Sequence, residues 1–523
     1  MKISRRTVLA ASASAPFIGR ASAATSAGIR IHSGRHRGPI DKNIFGNFIE
    51  HLGRCITGGI FDEGSPLSDK EGFRTDVMTA VKDMGVPLLR WPGGNFSSNY
   101  NWRDGIGPRG QRPRRLEMAW GTVEDNRFGT HEFMDYVEKV GAEPYICFNL
   151  GTGSWSDAQQ WVEYVNGTQD TEITRQRKKN GRDKPWRVKY WGLGNEMDGY
   201  WQMGHRSASD YGAFALEAAK LAKLTDPDVK LIAAGSSNYR PGSDWIGWNR
   251  TVLDYLKDYA DYISLHLYVG NAGNDYADFV ASPIEMDQKI ETVAGIIDSA
   301  MATRTNHVTG QLANDGRRIY IAFDEWNVWY RARGDGQRGR RILEEHYNLE
   351  DALVVAGFLN SLVNHADVVK IANLAQLVNV IAPIFTSDKG LFLQTIYYPL
   401  QLFSKNVKGN SLELLVDGPS YKTKRFDKVP YIDASASIDG DNLVVNIVNR
   451  HQDQAIDVAI GLEDKSFAGP VTASEVNGPD IKAQNDFGAS PVTAKSRPAE
   501  THGNSLNISL APHSYTQIRA RLA

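Results

Sequence analysis

The pattern of apolar and polar positions divides the chain into two parts. Between residues 41 and 404, short apolar runs alternate with segments in which apolar side chains recur every three or four positions, a pattern typical of parallel β/α units. Helical stripes end at Gly85, at Gly141 and at Asp226 followed by a proline. Eight runs are predicted to be strands: residues 44–51, 87–93, 143–150, 188–196, 230–236, 262–268, 318–326 and 368–377. Eight strands with helical crossovers predict an α/β fold, a (β/α)8 barrel.

The second part, residues 405–523, has a different period. Short alternating runs separated by Gly, Asn, Asp and Pro predict an all-β sandwich, jelly-roll-like in type, with strands at 412–415, 434–438, 443–448, 456–460, 505–510 and 515–522. Residues 27–40 are predicted to form an edge strand. The basic segment 168–184 is predicted to be a solvated loop.

Composition narrows the class of partner. The 523 residues carry 59 Lys and Arg against 61 Asp and Glu, so no global field attracts nucleic acid or an anionic membrane. The two cysteines, Cys55 and Cys147, provide no disulfide framework or cysteine metal site, and both are predicted to be buried free thiols. We therefore expect a soluble protein that binds neither nucleic acid nor membrane.

The first 24 residues have the three regions of a cleavable export signal. Arg5 and Arg6 precede a weakly apolar, Ala- and Ser-rich run, which ends in small residues at 21–24. Paired arginines before a mild apolar core are typical of a bacterial twin-arginine signal peptide. The sequence thus predicts a periplasmic or secreted protein.

Polar side chains cluster at the carboxyl ends of the predicted strands. Because barrel enzymes build their active sites there, these residues are the candidates for chemistry. Two carboxylates, Glu196 and Glu325, end the fourth and seventh strands and would face each other across the barrel. Carboxyls about 5–5.5 Å apart suit a retaining glycosidase, whereas about 6.5–9.5 Å leaves room for the water of an inverting one.

Several motifs resemble one family, the glycoside hydrolase family 51 α-L-arabinofuranosidases. They are FGNFIEH at 45–51, GGIF at 58–61, LRWPGGNF at 89–96, YNWRDGIGP at 100–108, WGLGNEM at 191–197, FDEWNVWY at 323–330 and NLAQLVN at 373–379. The resemblance runs from about residue 40 to residue 402. It implies that the segment at 27–40 joins the C-terminal sandwich.

The resemblance also implies a retaining double displacement on α-L-arabinofuranosyl side chains of arabinoxylan, arabinan or their oligosaccharides. Glu196 would be the general acid/base and Glu325 the nucleophile. The remaining implied roles are hydrogen bonds to the nucleophile from Arg90 and Tyr268, contacts to sugar hydroxyls from Glu50, Asn95, Asn195 and Gln376, and packing on the sugar or leaving group by Trp329. His266 lies near the site with its role open. The reaction needs no cofactor, and relatives commonly form homo-oligomers, hexamers or trimers.

Other functions remain open at the level of sequence. An endo-β-1,4-glycanase acting on xylan or glucan could use the same scaffold with an open cleft. A non-catalytic carbohydrate-binding protein is disfavoured because both glutamates are present. A metal-dependent hydrolase is disfavoured because no His-x-His or similar ligand cluster ends a strand.

Overall fold

The computed structural model describes residues 26–305, 310–313, 315–332 and 341–523. In these ranges the strands are β1 (Ser26–Pro39), β2 (Gly46–Phe48), β3 (Leu88–Trp91), β4 (Arg115–Glu117), β5 (Thr122–Glu124), β6 (Glu143–Cys147), β7 (Tyr190–Leu193), β8 (Lys230–Ala233), β9 (Tyr262–Val269), β10 (Tyr320–Val328), β11 (Val369–Ala375), β12 (Ile384–Ser387), β13 (Gly390–Leu393), β14 (Asn410–Asp417), β15 (Ser420–Tyr421), β16 (Val429–Pro430), β17 (Ile432–Asp439), β18 (Asn442–Asn449), β19 (Ile456–Leu462), β20 (Phe467–Asn477), β21 (Thr493–Ala499), β22 (Thr501–His502), β23 (Ser505–Leu510) and β24 (Ser514–Leu522). The α-helices are α1 (Thr75–Met84), α2 (Thr130–Val140), α3 (Trp155–Asn166), α4 (Glu172–Lys179), α5 (Ala208–Thr225), α6 (Trp245–Leu256), α7 (Tyr276–Phe279), α8 (Pro283–Ala302), α9 (Leu349–Asn364) and α10 (Tyr397–Asn406).

Eight parallel strands close into a barrel in the order β2, β3, β6, β7, β8, β9, β10, β11. Each coincides with one of the eight runs predicted from the sequence. The end of the barrel away from the carboxyl termini is packed solid, because β3 and β6–β11 each contribute one side chain to a buried cluster: Leu88, Tyr145, Tyr190, Ile232, Tyr262, Ala322 and Ile371. A filled interior leaves only the carboxyl-terminal mouth for a ligand.

Helix ends follow the residues that the sequence singled out. Gly85 and Gly141 end α1 and α2 in the left-handed region, with φ of 79° and 78°, where a side chain would be strained. Asp226 ends α5, just before Pro227. The barrel crossovers are thus fixed by local signals as well as by packing.

A ten-stranded sheet forms the second unit, in the order β21, β20, β24, β18, β17, β14, β1, β19, β23, β22. Its strands share a separate apolar core that includes Ile29, Leu412, Ile447, Ile460 and Ile508. The predicted fold class, a (β/α)8 barrel with a C-terminal β-sheet domain, is confirmed. Residues 27–40, however, do not form an edge strand: β1 lies between β14, which it pairs antiparallel, and β19, which it pairs parallel.

The basic segment 168–184 is not simply a solvated loop, because it contains α4. Arg177 of this helix is 1% exposed, and its guanidinium donates to the backbone oxygens of Tyr164, Gly167 and Asp183. A buried guanidinium that donates hydrogen bonds to backbone oxygens stabilises the fold, so the prediction of a solvated loop was wrong.

Both cysteines are buried free thiols, as predicted. Among the described residues, no helix combines the length and apolarity needed to cross a membrane. The predicted export signal, residues 1–24, lies outside the described residues.

Candidate active site

A pocket of about 850 Å³ opens at the carboxyl ends of the barrel strands. It is large enough for a sugar ring and part of its leaving group. Its lining includes seven of the predicted site residues: Glu50, Asn95, Glu196, Tyr268, Glu325, Trp329 and Gln376. The other two, Arg90 and Asn195, are each 1% exposed and contact the lining from behind.

Glu325 is held from two sides by hydrogen-bond donors. Arg90 Nη1 donates to Oε1 at 2.7 Å, and the Tyr268 hydroxyl donates to Oε2 at 2.9 Å. Arg90 Nη2 donates to Asn195 Oδ1 at 2.6 Å, which fixes the guanidinium plane. A buried carboxylate with two strong donors keeps one orientation, as a nucleophile requires.

Asp324 also points into the barrel, although neighbouring residues of a regular strand face opposite sides. The register of β10 shifts against β9 between Ala322 and Glu325, and this irregularity brings both carboxylates to the inner face. Asp324 accepts a hydrogen bond from the Tyr145 hydroxyl at 2.6 Å and lies 3.7 Å from Arg90 Nε. Although burial opposes ionisation, Arg90 and His266 lower the pKa of Asp324 to about 2.

Glu196 follows β7 through a tight turn. Gly194 has φ of 85° and Glu196 itself has φ of 46°, so the backbone bends sharply and turns the carboxyl towards the pocket. Its oxygens meet two partners: His266 Nδ1 lies 2.9 Å from Oε1, and Trp201 Nε1 donates to Oε2 at 2.5 Å. Burial raises the pKa of Glu196, and the charge of Glu325 adds to the rise against the opposing hydrogen bonds from His266 and Trp201.

His266 lies between three carboxylates. Its Nδ1 is 2.9 Å from Glu196 and 3.6 Å from Glu325, and its Nε2 is 3.2 Å from Asp324. Burial disfavours the imidazolium, but Glu325, Asp324 and Glu196 outweigh it and raise the pKa of His266 to about 10. His266 is therefore a cation beside the two glutamates, as Arg90 is beside Glu325.

Glu50 and Gln376 form the opposite wall of the pocket. Gln376 Nε2 donates to Glu50 Oε2 at 2.9 Å, while the Phe96 amide and the Trp120 indole donate to Oε1 at 3.0 and 3.1 Å. Burial raises the pKa of Glu50 to about 7, and the charge of Glu325 contributes although the Phe96 amide opposes it. Glu50 is thus poised between neutral and charged forms near pH 7.

Trp329 lines the pocket next to Tyr268. Their rings meet edge to face, with centroids 5.6 Å apart and planes at 77°. Asn95 lines the same pocket from the turn after β3. These positions put one aromatic wall and one amide within reach of a bound sugar.

Sequence reasoning missed four contributors: Asp324, Tyr145, Trp120 and Trp201. Asp324 stood next to the chosen glutamate but was given no role, because only the irregularity in β10 turns it inward. Trp201 lies five residues after Glu196, and this closeness in sequence could have identified it as a site residue. No sequence signal placed Tyr145 on Asp324 or Trp120 on Glu50.

Among the described residues, one group of side chains has the residue types and spacing to bind a metal ion, and it lies at this centre. It consists of Glu196, His266 and Glu325, each of which has an atom within 4.8 Å of the other two. An imidazole with a pKa of about 10 is protonated at neutral pH, so His266 pairs with the two carboxylates as a cation. This arrangement suits acid/base chemistry.

Comparison with known proteins agrees with this geometry. Two family descriptions match, "Alpha-L-arabinofuranosidase 1 domain" over residues 80–280 and "Alpha-L-arabinofuranosidase C-terminal domain" over residues 324–514. An intracellular exo-α-(1→5)-L-arabinofuranosidase of Halalkalibacterium halodurans is 43% identical over 83% of this chain and 86% of its own. An enzyme of the same description from Bacillus subtilis is 40% identical over 92% of this chain and 97% of its own length.

Among solved structures, the GH51 α-L-arabinofuranosidase of Thermotoga petrophila aligns with a TM-score of 0.84 and 39% identity. The alignment covers 94% of this chain and all of that one. The relatives also correct one expectation. The relatives from Halalkalibacterium halodurans and Bacillus subtilis are described as intracellular, which contradicts the periplasmic or secreted location predicted from residues 1–24.

Proposed function

The chain belongs to the glycoside hydrolase family 51 α-L-arabinofuranosidases, and on that premise we propose that it is a retaining exo-hydrolase. It removes terminal non-reducing α-L-arabinofuranosyl residues from arabinoxylan, arabinan and their oligosaccharides. The relatives named exo-α-(1→5)-L-arabinofuranosidases favour this function over the endo-β-1,4-glycanase and the carbohydrate-binding protein.

The observation that carries the proposal is the spacing and unequal surroundings of two carboxyls. One oxygen of Glu196 and one oxygen of Glu325 lie within 4.8 Å of each other, which favours the short carboxyl spacing of a retaining enzyme over the wider spacing of an inverting one. Glu325 accepts hydrogen bonds from two donors, which hold its carboxyl oxygens in place for attack. Glu196 has a raised pKa, which favours a proton donor.

In the first step, a carboxylate oxygen of Glu325 attacks the anomeric carbon of the arabinofuranose. The bond from that carbon to the glycosidic oxygen breaks, and the proton of Glu196 passes to the departing oxygen. Arg90 and Tyr268 keep the attacking oxygen in place while its charge is consumed. The product of this step is an ester between the sugar and Glu325.

In the second step, Glu196, now ionised, takes a proton from water. The water oxygen attacks the anomeric carbon, and the ester bond to Glu325 breaks. Two inversions leave the sugar with its original configuration. His266 stays protonated beside both glutamates and balances the negative charge that moves between them.

Sugar recognition falls to the wall formed by Glu50, Gln376 and Asn95. The Oε1 atom of Gln376 is buried and has no hydrogen-bond partner among the described residues, so it is available to a sugar hydroxyl. A carboxylate and an amide placed side by side can hold two adjacent hydroxyls of a furanose. We also propose a homo-oligomer, a hexamer or trimer, which light scattering of the purified protein tests.

The direct test compares the 4-nitrophenyl glycosides of α-L-arabinofuranose, β-D-xylopyranose and β-D-glucopyranose as substrates. Fast release from the arabinofuranoside alone supports the proposal. Shortening of xylan or glucan chains without release from any of the three would replace it with the endo-glycanase. Inactivity on all of these substrates would replace it with the binding protein.

A further inference from the structure

Trp201 is in direct contact with the group that must act as both acid and base. Its indole N–H donates to Glu196 Oε2, while the other oxygen, Oε1, is engaged by His266 Nδ1. The His266 side chain is 3% exposed and lies deep in the barrel. Oε2 is therefore the oxygen through which Glu196 exchanges protons with the leaving group and with water.

An indole N–H is only a donor. Its hydrogen bond stabilises a charged carboxylate oxygen strongly, and it stabilises the same oxygen much less when that oxygen is protonated. The contact thus favours the base form of Glu196, which the second step uses, and opposes the acid form, which the first step uses. A leaving-group oxygen must also approach Oε2, where the indole now sits.

The surroundings of Trp201 suit a side chain that moves. It lies in the turn after β7 and lines the pocket, and neighbouring Tyr200 is 60% exposed. Arg240 stacks on both rings, with its guanidinium carbon 5.5 Å from the Trp201 ring centre and 4.9 Å from that of Tyr200. This stack is on the surface, so shifting it costs little buried area.

We propose that Trp201 is a positioning residue: its N–H occupies the position of the leaving-group oxygen at Glu196, keeps that carboxyl in its base form, and withdraws when a leaving group binds. This inference rests on the proposed function. The movement of Trp201 lets Glu196 act first as an acid and then as a base. The leaving group displaces the indole N–H from Glu196 before that carboxyl must donate its proton, and the N–H returns once the leaving group has gone.

The other groups facing Glu196 are His266 and Tyr268 from β9 and Glu325 from β10, while Arg240 reaches Glu196 only through Trp201. Of these, Glu325 loses its charge when the ester forms, and it does so equally in the wild-type protein and in Trp201→Phe. His266 and Glu325 shift the pKa of Glu196 in opposite directions. Trp201 is therefore the contact whose removal can be tested without disturbing the other charges.

The test is the pH profile of Trp201→Phe on an arabinofuranoside with a poor leaving group such as phenol. The variant keeps a ring and loses the N–H, so the Glu196 carboxyl holds its proton to higher pH. We expect the falling alkaline limb of kcat/KM to move up by about half to one pH unit. With a 2,4-dinitrophenyl leaving group, whose departure needs no acid, we expect the rising limb of kcat to move the same way.

Trp155→Phe is the matched control, because Trp155 is a half-exposed tryptophan at the start of α3, outside the pocket lining. It should leave both limbs in place. A profile of Trp201→Phe that is lower but unmoved would overturn the proposal, since damage to packing alone changes height and not position. If the wild-type chain does not hydrolyse arabinofuranosides, the proposed function fails, which is a separate result.

A second measurement does not depend on a folded variant. A crystal structure of the wild-type protein with an unreactive arabinofuranosyl thioglycoside should place the sulfur near Glu196 Oε2 and Trp201 Nε1 beyond hydrogen-bond distance. An indole that stays on Oε2 with the thioglycoside bound would overturn the proposal.

Discussion

Glu50→Gln should make the protein more stable at alkaline pH and less active. The Glu50 side chain is buried, and burial raises its pKa from 4.5 to about 7. Folding therefore disfavours the charged form. The penalty is absent below pH 4.5, grows as pH rises to 7 and is constant above it. A shift of this size corresponds to about 3 kcal/mol of lost stability.

The substitution can keep all three hydrogen bonds of Glu50, but it exchanges the unpartnered oxygen of Gln376 for an unpartnered NH₂ group. The new amide oxygen can accept from the Phe96 amide and the Trp120 indole, as Glu50 Oε1 does now. The new NH₂ group would meet the NH₂ group of Gln376. Rotating the Gln376 amide turns its unpartnered Oε1 towards that group and restores the hydrogen bond.

The assay is urea unfolding at pH 4.5 and pH 8. We expect equal stability at pH 4.5 and a gain of up to about 3 kcal/mol for the variant at pH 8. Loss of a charged acceptor for the sugar should lower kcat/KM by about tenfold or more. Glu413→Gln, an exposed site on β14, is the control for net charge. A gain for Glu50→Gln that is the same at both pH values would refute the reasoning.

Three further predictions follow from single contacts. Arg177→Ala should lower the free energy of unfolding by about 3 kcal/mol because several backbone oxygens lose their donor, whereas Arg175→Ala on the exposed side of α4 should change urea unfolding little. Gly94→Ala would bring a Cβ to 2.9 Å from Glu325 Oε1, so kcat should fall by about a hundredfold with thermal stability nearly kept; an unchanged kcat would contradict this. Stability that depends on protonated His266 is full below pH 6.5 and is lost as pH rises through about 10, so the wild-type melting temperature should fall over this range and that of His266→Gln should fall less.

The barrel could be predicted from the sequence because each of its strands is a short, nearly continuous apolar run between helical stripes. Strands buried on both faces leave that signal. β20 and β21 were missed because Phe467–Asn477 contains Gly, Pro and Ala, and Thr493–Ala499 is largely polar. These strands are held by pairing with each other, and β20 also by pairing with β24, which no local pattern reveals.

The same limit applies to the site. The residues that were predicted lie at strand ends or in motifs, where position alone marks them. Asp324 faces inward only because the register of β10 shifts, and Arg177 of α4 is buried in a segment without an apolar stripe because its guanidinium meets the carbonyls of Tyr164 and Asp183. Both cases depend on side-chain and strand contacts that a pattern of apolar positions does not reveal. Residues 1–24 gave a clear signal, but the location it predicted is contradicted by the intracellular relatives.

The most direct test of the central claim is the anomeric configuration of the azide formed when Glu196→Ala and Glu325→Ala act on an activated α-L-arabinofuranoside in the presence of sodium azide. Without the acid/base, azide should attack the ester on Glu325 and give the α-azide. Without the nucleophile, azide should enter the empty space beside Arg90 and give the β-azide. The reverse pair of products would contradict the assigned roles, and an absence of azide product from both variants would contradict the double displacement itself.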